Sequence, residues 1–157
     1  MSMDLEEQYD KIYRYCYFRL RNRETAEDIT QETFLRYLKR YSLTTSEQAI
    51  KYLYTIARNL CIDEYRRKPL LPLEESSMQE QPPKDSDEEQ LLTSLAVRTA
   101  LSKLEHEEQE LLLLKYVNDV SVSTIAQILG ISRFAIYRRL MAASRKFKDK
   151  LGKEEFE

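Results

Sequence analysis

The residues of this chain whose spacing carries the most chemistry lie between Ser121 and Lys146, in SVSTIAQILGISRFAIYRRLMAASRK. Ile125, Ile128 and Leu129 recur at the three- and four-residue interval of one helical face. Gly130 then supplies a turn, because a residue without Cβ reaches positive φ at no steric cost. Ser132 suits the N-cap of a second helix whose inner face is Ile136 and Leu140. That leaves Arg133, Phe134, Tyr137, Arg138 and Met141 turned outward. An arginine fork pairs bidentately with guanine and an apolar ring meets a thymine methyl, so a helix-turn-helix armed this way suits the major groove of DNA. An αα-hairpin with a solvated basic face has the same spacing, and the stretch alone leaves both readings open.

Other chemistries find few residues to carry them. His106 is the one histidine and stands in the acidic run LEHEEQE, too few ligands for zinc. Glycine-rich phosphate loops, nucleophile elbows and paired metal carboxylates are absent, so neither an enzyme nor a cofactor is expected. Cys16 and Cys61 fall at apolar helical positions in a chain whose start, MSMDLEEQYD, does not read as a secretory signal. Reduced core thiols are the expected state, and no pattern favours a redox role. No apolar run approaches the roughly 20 residues that span a bilayer. A cytoplasmic protein is the expectation.

The net charge of −2 hides a segregated pattern. Residues 1–68 carry 13 Lys/Arg against 11 Asp/Glu, residues 69–90 one lysine against seven acids, and residues 91–157 carry 11 against nine. Ser132–Lys150 alone holds seven bases and one acid, so the acidic whole-chain balance does not argue against nucleic acid.

The elements that must position these groups are helices. With two glycines and four prolines in 157 residues, and no alternating Val/Ile/Thr runs, the chain reads as all-α. A first helix is predicted over Leu5–Arg21, with Leu5, Tyr9, Ile12, Tyr13, Cys16 and Leu20 as its apolar stripe, widened by Tyr17 and Phe18. A second follows over Thr25–Tyr41, burying Ala26, Ile29, Phe34, Leu38 and Tyr41, then the polar loop SLTTSEQ. A third, over Ala49–Arg67, buries Leu53, Ile56, Ala57, Leu60 and Cys61. Lys68–Asp87, KPLLPLEESSMQEQPPKDSD, is barred from a long helix by its prolines and too polar for a core, which makes it a flexible acidic linker. Four further helices are predicted over Glu88–Leu104, Glu107–Val117, Ser121–Leu129 and Ser132–Leu151, with the LLLL run at Leu111–Leu114 on a buried flank and the terminal GKEEFE frayed. Two small helical domains, residues 1–68 and 88–157, joined by residues 69–87, is the expected architecture.

Three strings in series resemble one family. AEDITQETFLRYLKRY is similar to AEDLVQETF, the core-binding helix of the extracytoplasmic-function (group IV) sigma factors of bacterial RNA polymerase. YLYTIARNLCIDEYRRK is similar to that family's WLYRIARNLAIDYLRR, the promoter-melting helix that reads the −10 element. LSKLEHEEQELLLLKYV followed by STIAQILGISRFAIYRRL resembles its last domain, which reads the −35 element. Together they cover most of residues 4–151 in the family's order and spacing. The resemblance implies an alternative sigma factor acting only with core polymerase. Asp28, Gln31, Glu32, Phe34 and Leu35 would dock on a basic coiled coil of the largest subunit, with the polymerase flap as a further contact. Ser42, Thr44, Thr45 and Ser46 would hold a flipped −10 base with Asn59, while Tyr52 and Tyr54 flank the melted strand and Arg58, Arg66 and Arg67 hold phosphates. Arg133, Phe134, Tyr137 and Arg138 would read the −35 element, with Arg139, Arg145 and Lys146 on phosphates. The acidic linker would thread the RNA-exit channel, and an anti-sigma factor would hold the free protein. A free-standing helix-turn-helix regulator is the alternative, in which residues 4–67 are a sensor or dimerisation module.

The chain departs from the family pattern at four places. Leu104-Glu105 replaces a Leu-Pro pair, Thr124 replaces a glutamate, Tyr52 replaces a tryptophan, and Ala142-Ala143-Ser144 replaces a terminal Arg-Ala-Arg. A glutamate at 124 would complete a capping box with Ser121, so a weaker start is expected for this helix.

Overall fold

A computed structural model describes residues 4–41, 46–67 and 95–156, which fall into two compact units, one on either side of the predicted linker. The predicted linker and the start of the helix expected at Glu88 lie outside the described residues, as do Ser42, Thr44 and Thr45 of the hydroxyl-rich loop. The side chains of Tyr41 and Ser46 do too.

The first unit is built from α1 (Leu5–Leu20), α2 (Arg23–Tyr41) and α3 (Ser46–Arg67). Asp4 caps α1, its carboxylate accepting the N–H groups of Glu6 and Glu7 at 3.1 and 3.2 Å. The helix stops at Arg21, which adopts φ 57° and donates its N–H to the Tyr17 carbonyl at 2.6 Å. Asn22 then accepts the Thr25 N–H at 2.9 Å, so α2 opens two residues before the predicted Thr25.

Ile12, Tyr15, Cys16 and Leu20 of α1 meet Ala26, Ile29, Phe34 and Tyr37 of α2, and Ala49, Leu53, Tyr54, Ala57 and Cys61 of α3 in the buried centre. Thr30 and Thr33 are tolerated there because their hydroxyls donate to the carbonyls of Ala26 and Ile29, both at 2.7 Å. Tyr15 and Tyr54 meet edge to face with centroids 5.6 Å apart, and the Tyr65 hydroxyl donates to the Arg19 carbonyl, tying α3 to the end of α1. Cys16 and Cys61 are free thiols in this core. A hydrogen bond with Cys61, reinforced by burial, pushes the Cys16 pKa well up, so that thiol stays protonated.

Several burial expectations are corrected here. Leu5 and Leu38 are exposed, whereas Tyr15, Tyr37 and Tyr54 are interior. The inner face of α2 runs through 26, 29, 30, 33 and 37, and Leu38 stands one residue, about 100°, beyond it. Likewise the inner row of α3 runs 49, 53, 57, 61, which turns Ile56 and Leu60 to the half-buried margin.

The second unit comprises α4 (Leu95–Ser102), α5 (His106–Leu112) running into a π-helical turn at Leu113–Val117, α6 (Val122–Leu129) and α7 (Arg133–Phe156). All four leucines from Leu111 to Leu114 are buried. Four consecutive positions sweep most of a helix's circumference, so this segment is enclosed on nearly every side, with Tyr116 marking its open one. The wider turn closes with the Asn118 N–H on the Leu113 carbonyl at 2.9 Å, and the Val120 N–H reaches Leu114 at the same distance. α6 ends at Gly130, φ 71°, where the N–H groups of Gly130 and Ile131 both reach the Ala126 carbonyl, at 2.8 and 3.2 Å. An added Cβ there meets nothing within 4 Å, so glycine is required for its backbone angle and not for space. The terminal segment predicted to fray continues α7 through Phe156.

Candidate nucleic-acid and protein interfaces

Ser132 Oγ accepts the Ala135 N–H at 3.1 Å, which fixes where α7 starts and therefore which residues face out. Ile136, Leu140 and Ala143 are buried against the unit, and Arg133, Phe134, Tyr137, Arg138, Arg139, Met141 and Arg145 are exposed. Phe134 is 73% accessible, and the Arg138 guanidinium lies over its ring, 5.4 Å from the centroid. The outward face predicted for the second helix of the helix-turn-helix, Met141 included, is thus present as one cationic and aromatic stripe.

Lys146 is engaged differently. Its ammonium meets Glu108 Oε2 at 2.9 Å, and Glu108 Oε1 accepts the Glu105 N–H at 3.0 Å. The lysine hydrogen bond is the main reason the Glu108 carboxyl lies below its ordinary pKa, and the same bond raises that of Lys146. A phosphate would have to compete with Glu108 for this lysine. Glu105, where the family carries proline, brings an N–H that Glu108 satisfies, so the replacement leaves no orphan donor at the start of α5.

The start of α6 shows half of a capping box. Ser121 Oγ accepts the Thr124 N–H at 3.1 Å, but the Thr124 hydroxyl is taken up by the Ser121 hydroxyl, at 2.9 Å. It does not return to the cap backbone as a glutamate carboxylate does.

On α2, Asp28 and Gln31 are exposed and Leu35 is 57% accessible. Glu32 is partly exposed and pairs with Arg36 at 2.8 Å. Phe34, by contrast, is buried with its ring 5.3 Å from that of Tyr9, and so supports the face from beneath instead of presenting itself. Leu38, 47% accessible, belongs to the face and was missed by sequence reasoning. The signal was present, since 28, 31, 35 and 38 follow a strict helical interval.

α3 divides the residues assigned to the melted strand. Tyr52 is half-exposed with the Lys51 ammonium 5.4 Å from its ring centroid, Arg58 is partly exposed, and Asn59 and Arg66 are exposed. Arg67 is exposed and pairs with Glu64 at 3.0 Å. Tyr54 is 1% accessible and packed on Tyr15, which leaves its ring no face for a DNA base. The expectation that it flanks the strand is corrected to a core role.

Comparison with known proteins bears on both units. The family profile of Sigma-70 region 2 matches residues 5–69, and that of Sigma-70, region 4, matches residues 94–147. RNA polymerase sigma factor YlaC of Bacillus subtilis is 32% identical over 156 residues, covering 95% of this chain and 90% of that protein. ECF RNA polymerase sigma factor BldN of Streptomyces coelicolor is 33% identical over 158 residues, covering 92% of this chain. The chain belongs to the extracytoplasmic-function sigma factors. It spans 60% of the length of BldN. A chain in the co-crystal structure of the sigma factor RpoE with the anti-sigma factor NepR from Bartonella quintana shares its fold, with a TM-score of 0.68 at 18% identity over 92% of this chain and 91% of that one. Sigma factors are DNA-binding transcription initiation factors and not enzymes. Among the described residues no helix is long and apolar enough to cross a membrane.

Proposed function

We propose that this chain is an alternative sigma factor that joins core RNA polymerase in the cytoplasm and directs it to a distinct −35/−10 promoter pair. Residues 1–68 carry polymerase docking and −10 melting, residues 69–87 form the acidic connection through the RNA-exit channel, and residues 88–157 read the −35 element. Docking falls to Asp28, Gln31, Glu32, Leu35 and Leu38 on α2, against a basic coiled coil, with Phe34 as the packed base beneath them. Ser42, Thr44, Thr45 and Ser46 hold the flipped base with Asn59, Tyr52 stacks on the melted strand, and Arg58, Arg66 and Arg67 hold phosphates. Arg133, Tyr137 and Arg138 meet base edges with Phe134 exposed among them, while Arg139, Arg145 and Lys146 meet phosphates. An anti-sigma factor is the expected partner of the free protein.

The observation that carries this reading is the pairing, in one chain, of an acidic and apolar stripe on α2 with an arginine and aromatic stripe on α7, each inside its own family match. A free-standing regulator needs only the second stripe. Transcription from promoter libraries by core polymerase supplemented with this protein tests the proposal. New transcripts that share an upstream and a downstream element support it. Tight, specific duplex binding without polymerase, and no transcript with it, supports the free-standing regulator instead.

A further inference from the structure

An exposed phenylalanine in the first turn of a helix exchanges no water for protein, so its presence on α7 asks for a reason. Phe134 finds part of that reason one turn on. The Arg138 guanidinium covers its ring at 5.4 Å from the centroid, at the i, i+4 spacing that brings side chains of neighbouring turns together. A guanidinium stacked on a ring gives up one planar face and keeps its in-plane N–H donors, the ones that pair bidentately with guanine O6 and N7. The ring also removes part of the rotamer freedom an arginine would otherwise lose when it meets a base. Among the described residues no carboxylate is paired with Arg138, so its charge remains available for an acceptor.

We propose that Phe134 is a positioning residue for Arg138, so that the two side chains read a single guanine together and Phe134 reads no base of its own. The inference rests on the assignment of α7 to the −35 element. It replaces the simpler expectation that Phe134 touches a thymine methyl.

The test uses the full chain with core polymerase on a library in which every position of the upstream element is varied, scored by transcript abundance. Arg138→Ala flattens the preference at one position. Phe134→Leu, which keeps the apolar bulk but not the ring, weakens the preference at that same position by about two- to five-fold, as an exposed cation–π contact allows. Phe134→Tyr retains it, and the double variant is no more relaxed than Arg138→Ala alone. A shift at a different position in Phe134→Leu, an unchanged preference, or additive losses in the double variant overturns the proposal. If Arg138→Ala alters no upstream position, the assignment of Arg138 itself fails and the proposal falls with it. That result is distinct from an Arg138 effect that Phe134 does not share.

Discussion

One carboxylate oxygen of Glu108 accepts the Glu105 N–H at 3.0 Å while the other meets the Lys146 ammonium at 2.9 Å, so a single side chain closes the start of α5 and fastens it to α7. A carboxyl whose folded pKa is depressed adds stability above its unfolded pKa and loses it as pH falls through the folded value. The raised pKa of Lys146 sets the other edge, since its share is present below the ordinary lysine range and is lost as pH rises through the folded value. Thermal unfolding is therefore expected to find Glu108→Gln less stable than the parent at neutral pH, with the two curves converging in acid below the ordinary glutamate range. A constant gap across that range would remove the ion pair as the cause. The two tyrosines separated by one residue on α3 give a second contrast. Tyr54→Ala opens a cavity beside Tyr15 and is expected to cost about 3–5 kcal/mol in denaturant unfolding. Tyr52→Ala, at the half-exposed margin, is expected to cost about 1 kcal/mol or less and to act on promoter opening instead. At the residue scale, types and spacing in the sequence named the exposed arginines of α7 well. They could not say which of several tyrosines the core would claim, because ring burial depends on what the neighbouring helices bring.

At the scale of elements, periodicity was enough to find the helices, and caps decided their ends. The shift of the α2 start to Arg23 follows from Asn22, a capping residue that a polar RNRE turn disguises. The misplacement of Leu38 follows from phase, since a stripe guessed one residue late puts an exposed leucine in the core. Leu35 and Leu38 share the outer face of α2 with Asp28 and Gln31. Replacing both leucines with serine is expected to cost about 0.5–1 kcal/mol at each site, because each is only about half covered and serine is a somewhat poorer helix former. The same change should weaken capture by immobilised core polymerase at least several-fold; retention at parental levels would place docking elsewhere. On α6, Thr124→Glu is expected to add the missing reciprocal bond to the Ser121 N–H and stabilise the second unit by about 0.3–1.5 kcal/mol, read as a raised denaturant midpoint with an unchanged slope. The π turn at Leu113–Val117 had no counterpart in the sequence reading, since a run of leucines looks alike in either helix type.

For the whole molecule, the proposal divides labour along the chain: α2 docks, α3 melts, and α7 fixes the upstream contact. The α3 part can be separated from docking because Arg66 and Arg67 lie at the end of α3, at positions distinct from the α2 stripe, and both are exposed. The Arg67–Glu64 pair at 3.0 Å, with its arginine largely in solvent, contributes at most a few tenths of a kcal/mol, so its loss does not endanger the fold. Two exposed arginines facing phosphates instead raise affinity for nucleic acid uniformly across sequences and steepen its fall with salt, so their loss lowers affinity and flattens the salt dependence. The double variant Arg66→Ala with Arg67→Ala is thus expected to bind core polymerase like the parent. It should keep the parent's −35 preference yet form fewer open complexes at sub-saturating protein, with the affinity deficit largest at low salt and narrowing as salt rises. Permanganate reactivity of unpaired thymines reads the opening, and capture on immobilised core polymerase reads the docking. Loss of capture in this variant would place Arg66 or Arg67 in the polymerase interface and dissolve the proposed division between α2 and α3. Unchanged opening would leave melting to the hydroxyl-rich loop and Tyr52 without help from the helix end.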